Sequence, residues 1–354
     1  MTRMTPLALL SLVALLTGCT PADPQQQVSS ALAEQVMLPA YSVWAINNQQ
    51  LAESATRLCA GTQDLNQTRQ AWLAAQTAWA ALQPLAVGPL SEGNRAWQVQ
   101  FWPDKKNLVA RQVETLLNSK PQLNQSELDK ASVVVQGLSA FEYVLFDPAL
   151  DLADSTQQAR YCPLLIAIGQ HQQQLADTVL AQWQAKDGMA AQLQSFPNAR
   201  FALPGDAIGE ILRTQVTALD GLKKKHATPL GRQSNGQPQP YQAENWRSDH
   251  SLGNLSASLA AAHRLWQGKN NDGLRQLLRP EQQTLGQRID AAYASTKAQL
   301  DDSAGSLKSL LANDEGRARL NRLYEQLDQL HRLHERELAK ALGVQLGFNA
   351  HDGD

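Results

Sequence analysis

The sequence lacks the features that would place it in several large functional classes. Its 31 basic and 33 acidic residues are well mixed and give a net charge of −2, so no basic stripe indicates nucleic-acid binding. After the first twenty residues, no apolar run approaches the length of a transmembrane helix. The 354 residues include only three cysteines, and we find no glycine-rich phosphate loop and no spacing that supports a Ser/His/Asp triad.

What is present begins with an export signal. Arg3 precedes the apolar run Leu7–Leu16, and Thr17-Gly18-Cys19 follows, a pattern typical of a cleaved secretory signal. Leu16 to Cys19 resembles a bacterial lipobox, so we predict a signal peptide at 1–18, lipidation of Cys19 and a polar tether at 19–27. The alternative is an ordinary signal with a chance cysteine. Thr20, where an aspartate would favour retention in the inner membrane, favours an outer-membrane lipoprotein facing the periplasm or the cell surface.

The two remaining cysteines, Cys59 and Cys162, are expected to form one disulfide. An exported chain folds in an oxidising compartment, where a lone pair of cysteines is more often bonded than free. The alternative is two free, buried thiols.

Hydrophobic periodicity predicts an all-α fold. Apolar residues recur every three or four positions over most of the chain, as between Met37 and Leu58, and no segment shows the sustained alternation of a strand. We expect Pro39 to kink that helix or mark its start, and we expect a later helix to be capped by Ser248 or Asp249. Long helices with short links indicate antiparallel bundles, here divided into an N-terminal domain (28–197) and a C-terminal domain (198–354).

One acidic residue stands in an apolar helix. Glu142 lies among Phe141, Tyr143, Val144 and Leu145, where a carboxylate is costly to bury without a partner. The segment Gly137–Glu142 has a faint counterpart in Gly205–Glu210. This similarity indicates either internal pseudo-symmetry between two bundles or a coincidence.

The order Gly137, Ser139, Glu142 resembles the Gly-x-His-x-x-Glu motif of the imelysin-like family, with serine in place of histidine. Further resemblance lies in three segments, Arg69–Trp79, Trp246–Leu252 and Leu346–Asp354. The resemblance implies a two-domain helical fold with internal pseudo-symmetry and a polar site where the bundles meet. It also implies a link to iron uptake, in a family once classed as metallopeptidases.

The resemblance and the residue chemistry together give the candidate site. A serine hydroxyl is a poor ligand beside imidazole or carboxylate, so we predict no catalytic residue and only weak metal candidates, Glu142 and Glu210. Iron or another divalent metal remains open as a cofactor. The predicted binding residues are Gly137, Ser139, Glu142, Arg247 and Asp249, and the expected donors to Glu142 are Arg69, Arg213 and Arg247.

Three other clusters have weaker alternatives. His331 and His334 share a helical face, which we expect to be solvated and charged; the alternative is a metal site. The tail Asn349–Asp354 has oxygen ligands for calcium but is more typical of a frayed terminus. The aromatics Trp97, Phe101 and Trp102 either line a groove or pack a long loop onto the bundle.

Three functions follow as hypotheses. The first is a lipid-anchored, non-catalytic binding protein of iron or haem acquisition, whose partners are the membrane and iron, haem or an envelope protein. The second is an imelysin-type metallopeptidase, which the missing histidine disfavours because a hydrolytic metal needs about three protein ligands and a water. The third is a structural envelope lipoprotein.

Overall fold

The computed structural model describes residues 23–120 and 122–346 of the chain. Every regular element in these two ranges is a helix, and no strand occurs in them. The predicted all-α class is therefore confirmed. None of the helices described there is both long enough and apolar enough to cross a bilayer.

The helices fall into two runs along the chain. The first run contains α1 (Pro24–Leu32), α2 (Leu38–Cys59), α3 (Leu65–Leu82), α4 (Arg95–Val99), α5 (Leu108–Ser119), α6 (Gln125–Leu128), α7 (Val133–Gln136), α8 (Leu138–Phe146), α9 (Ser155–Gln184) and α10 (Met189–Gln194). The second run contains α11 (Pro204–Ala227), α12 (Ser251–Gln267), α13 (Gln283–Asp302), α14 (Leu307–Leu311), α15 (Asp314–Arg332) and α16 (Ala339–Ala341).

The start of the described chain corrects the extent of the predicted tether. Asp23 caps α1, and its Oδ1 accepts a hydrogen bond from Gln25 N at 2.7 Å. Pro24 occupies the first helical position, where its missing N–H costs nothing. Residues 24–27, assigned to the tether, are therefore helical. The predicted signal peptide, Cys19 and the tail Asn349–Asp354 lie outside the described residues.

Pro39 lies at the start of α2, as one of the two expected alternatives had it, but the helical segment also continues before it. A π-helical turn (Ala33–Met37) joins α1 to α2, and Pro39 lies in the first turn of α2. The stripe expected between Met37 and Leu58 is buried, including its one polar member, Asn48. The chain thus runs as one α–π–α segment from residue 24 to residue 59, with its apolar side in the core.

One large apolar core extends through both halves of the described chain. Its members include Trp44 and Trp79 from the first run of helices and Trp266 from the second. In the first run α2 packs against α3 and α9, in the second α15 packs against α11 and α13, and α3 joins the two runs by packing against α12. The division at residues 197 and 198 and the internal pseudo-symmetry remain predictions.

Cys59 and Cys162 form the expected disulfide. Cys59 is the last residue of α2, and Cys162 lies near the start of α9. The bond therefore links two helices that pack side by side, across a sequence separation of 103 residues.

We expect loss of this disulfide to lower the free energy of unfolding by about 2–4 kcal/mol, because the bond restricts the unfolded chain. Urea unfolding with and without reductant measures the difference. The double variant Cys59→Ser, Cys162→Ser serves as the control, since reductant should leave its unfolding curve unchanged. Two free thiols in the denatured, unreduced mature protein would contradict the pairing.

Candidate functional site

Glu142 is a buried acceptor that joins the two halves of the chain. It lies on α8 with 3% of its surface exposed. Asn245 Nδ2 donates to its carboxylate at 2.9 Å, and Ser248 donates from both its backbone N (2.9 Å) and its hydroxyl (2.8 Å). Burial raises the pKa of Glu142, while these hydrogen bonds and the nearby charge of Arg247 act in the opposite direction. The segment before α12 thus binds α8 through neutral donors.

A chain of buried amides and one indole leads to this carboxylate. Trp79 Nε1 donates to Gln100 Oε1 at 2.7 Å, and Gln100 Nε2 donates to Asn245 Oδ1 at 3.1 Å. Asn254 Nδ2, from the first turn of α12, also donates to Asn245 Oδ1, at 2.6 Å. Asn245 in turn donates to Glu142. Every donor in the chain points toward the carboxyl group of Glu142, whose two oxygens accept.

The motif residues Gly137 and Ser139 hold a neighbouring segment of backbone. The Ser139 hydroxyl donates to Phe101 O at 2.9 Å and accepts from Phe101 N at 3.2 Å. A Cβ on Gly137 would lie 2.4 Å from Val99 O, so only glycine allows this close approach. Ser139 and Glu142 share a helix, as the spacing predicted, but their partners are different.

Contacts of three kinds fix three consecutive residues beside α8. Gln100 is held through its side chain and Phe101 through its backbone, as described above. Trp102 donates from Nε1 to Gln242 O at 3.2 Å. Trp102 and the half-exposed Trp97 line a groove of about 380 Å³, together with residues of α11. The volume is typical of a small-molecule site.

The groove has an excess of positive charge. Lys224 pairs with Asp220 at 2.8 Å, and Lys225 pairs with the buried Glu244. Lys105 also lines the groove and has no ion pair with any residue in the described ranges. An anionic ligand with a flat apolar part would suit this combination of lysines and indoles.

The three arginines predicted to bind Glu142 have other partners. Arg247 Nε donates to Asp147 Oδ2 at 2.8 Å, and its guanidinium lies 4.4 Å from the ring centroid of Trp246. It therefore acts on Glu142 only through its charge. Arg69 Nε donates to the backbone of α8 at Leu145, and Arg213 donates to the backbone at Gln345.

Asp249 and Glu210 lie away from the carboxylate network. Asp249 Oδ1 accepts from Leu307 N at 3.1 Å, so it positions the start of α14. The expected cap of α12 at Ser248 or Asp249 is wrong. Helix α12 begins at Ser251, its N-cap residue is His250, whose side chain makes no capping hydrogen bond, and Ser248 binds Glu142 instead. Glu210 pairs with Arg200 at 2.7 Å.

The expected solvated face at His331 and His334 is also wrong, since both side chains are buried. His334 bonds to Leu330 O and to the hydroxyl of Tyr293, and burial lowers its pKa to about 4. The ring of His331 lies beside Lys223. Neither histidine joins a group of three metal-binding side chains within residues 23–120 and 122–346.

Sequence reasoning missed Asn245, Gln100 and Trp79 as members of the site. The sequence signal for Asn245 was its position directly before the segment Trp246–Leu252; the structure gives it a φ of 51°. Asparagine tolerates that left-handed conformation better than most residues. Gln100 gave no local signal, because its partners are distant in sequence.

Known proteins resemble this chain in sequence and in structure. A family profile described as Imelysin matches residues 37–334. The structure is similar to that of an imelysin-like protein from Psychrobacter arcticum, with a TM-score of 0.70 and 20% identity, covering 93% of this chain and 98% of that one. It is also similar to a protein from Parabacteroides distasonis described as an iron-regulated protein A precursor, with a TM-score of 0.75 and 15% identity, covering 92% and 97%. No curated protein sequence matches this chain significantly.

We expect Glu142→Gln to lower the free energy of unfolding by about 1–3 kcal/mol, because the new amide donor would face the donors of Asn245 or Ser248. Glu142→Leu should cost more, since it leaves all of those donors without an acceptor. Glu210→Gln, which breaks a partly exposed ion pair, is the matched control and should cost about 0–1 kcal/mol. Urea unfolding measures all three, and equal small effects would contradict the buried network.

Proposed function

The chain belongs to the imelysin family, and on this premise we propose that it is a non-catalytic, lipid-anchored binding protein of iron or haem acquisition. One observation carries the proposal. The Ser139 hydroxyl bonds to the backbone of Phe101, and Glu142 holds Asn245, which accepts from Gln100. The motif helix therefore fixes the segment that leads to Trp102, which lines the groove.

The same geometry disfavours the metallopeptidase alternative. A hydrolytic zinc site uses about three protein ligands and keeps a position open for water. The Glu142 carboxylate already accepts hydrogen bonds from Asn245 and Ser248. The Ser139 hydroxyl already donates to Phe101 O and accepts from Phe101 N. A metal at Glu142 would have to displace these donors.

Two further observations support a role in binding. The groove is of ligand size, and its exposed Trp97 is 46% accessible, a large apolar surface that a ligand would cover. The iron connection is supported by the similarity to a protein described as iron-regulated. Haem matches the groove only through its flat apolar ring and its carboxylates, because the lining residues that the structure describes include no histidine, methionine, cysteine or tyrosine to bind its iron.

We expect the mature protein to bind haem in this groove. Trp97→Ala should weaken binding about tenfold, because an aromatic contact and its buried area are lost. Lys105→Ala should weaken it less, since that lysine is exposed. Ile46→Ala, which removes an exposed apolar side chain on α2, is the control and should leave the affinity unchanged.

The measurement is a titration followed by haem absorbance and tryptophan quenching, with ferrous and ferric iron titrated separately by calorimetry. Binding of haem and iron that is absent, or equal in Trp97→Ala and wild type, would contradict the groove as the site. Tight, stoichiometric zinc in the purified protein would instead favour the metallopeptidase.

Anchoring rests on the N-terminal sequence and is tested independently. Cys19→Ser should leave the chain uncleaved or move it from the membrane fraction to the soluble periplasmic fraction, because the acyl chains provide the attachment. Fractionation and intact mass measure both outcomes, with Cys59→Ser as a control that keeps the anchor. Unchanged processing and membrane attachment in Cys19→Ser would refute lipidation.

A further inference from the structure

A second groove lies between α12 and α13, in the part of the chain that follows the Glu142 network. Its volume is about 470 Å³, and none of its lining residues is shared with the groove at Trp97 and Trp102. Clefts of this size take small organic molecules. It lies outside the motif and outside the function proposed above.

Two aromatic rings in fixed positions line this groove. The ring of His263 packs against the ring of Tyr293, with centroids 4.6 Å apart and the ring planes tilted by 31°. The Tyr293 hydroxyl is bonded to Gln215 Nε2 at 3.0 Å and to His334 Nε2 at 3.2 Å, so the tyrosine cannot turn away. Leu259 adds a buried aliphatic side chain to the same lining. These rings need no rearrangement to receive a planar or aliphatic body.

The inner surface is also uncharged near neutral pH. Burial lowers the pKa of His263, and the nearby charge of Asp290 only partly opposes this. The imidazole is therefore neutral under ordinary conditions, and its packed pair with Tyr293 is an apolar, polarisable surface.

The charges at the rim leave one cation uncompensated. Asp290 accepts from Arg275 Nε at 2.9 Å and from Trp266 Nε1 at 2.7 Å, so Arg275 compensates its charge and both of its oxygens have donors. Lys297 pairs with Asp301 one turn away on α13. Arg264 is exposed and forms no ion pair with the residues described. Its guanidinium can bind a carboxylate through two parallel hydrogen bonds.

We propose that this groove is a binding site for a small aromatic carboxylate. The aromatic body lies against His263 and Tyr293, and the carboxylate binds Arg264. A neutral molecule of the same shape would gain the apolar contact but not the ion pair, so the site discriminates by charge at its rim.

The test uses the mature full-length protein and two probes that share one ring system, 2-naphthoate and 2-naphthalenemethanol. Calorimetric titration should show that wild type binds the carboxylate more tightly than the alcohol. Arg264→Gln should weaken naphthoate binding about tenfold and leave the alcohol unchanged, because only the charge-assisted bonds are lost. Arg111→Gln, an exposed arginine on α5, is the matched control.

A second variant tests the groove itself. Ala294 is exposed and lines the groove, so Ala294→Trp should fill it and abolish binding of both probes without unfolding the helix. Ala298→Trp, also exposed on α13 but outside the lining, should bind as wild type does. No naphthoate binding by wild type at millimolar concentration, or binding that survives Ala294→Trp, would overturn the proposal. Loss of binding in Trp97→Ala would assign the probe to the other groove.

Discussion

The structure depends on how one buried carboxylate is satisfied. A carboxyl group with almost no exposure must find hydrogen-bond partners inside the protein, and the carboxyl oxygens of Glu142 accept from Asn245 and Ser248, about a hundred residues further along the chain. Helix α8 and the segment before α12 are therefore held together. Removing either side would leave buried donors or a buried acid without a partner, which costs more than the bonds themselves contribute.

The consequences reach both grooves. Asn245 is held in turn by Gln100 and Asn254, so the same network fixes the segment that carries Trp102 and the first turn of α12. Further along, α12 lines the second groove through His263 and Arg264. One polar network thus positions the segment that lines the groove at Trp97 and Trp102. The same network positions the first turn of α12, the helix that lines the second groove.

Ser139, which the motif resemblance aligns with a histidine, is part of this arrangement. A hydroxyl is small enough to fit between α8 and the backbone at Phe101 and can both donate and accept there. Gly137 allows the same close approach at Val99. In this chain the motif helix is adapted to packing a loop, whereas an imidazole and a carboxylate three residues apart would be adapted to binding a cation.

Local periodicity was enough to predict the helical class and the buried stripe of α2, and the cost of burial was enough to predict that Glu142 needs a partner. The Cys59–Cys162 pair followed from the number of cysteines left in an exported chain. The sequence did not predict which residues donate to Glu142. Three arginines were expected because they lie in helical segments that resemble the family, but the tertiary structure supplies neutral donors and pairs Arg247 with Asp147. Ser248 was expected to cap α12, yet its hydroxyl donates to the buried carboxylate of Glu142. Hydrogen bonds between residues far apart in sequence leave no local pattern, so only the packing of α8 against the segment before α12 decided them.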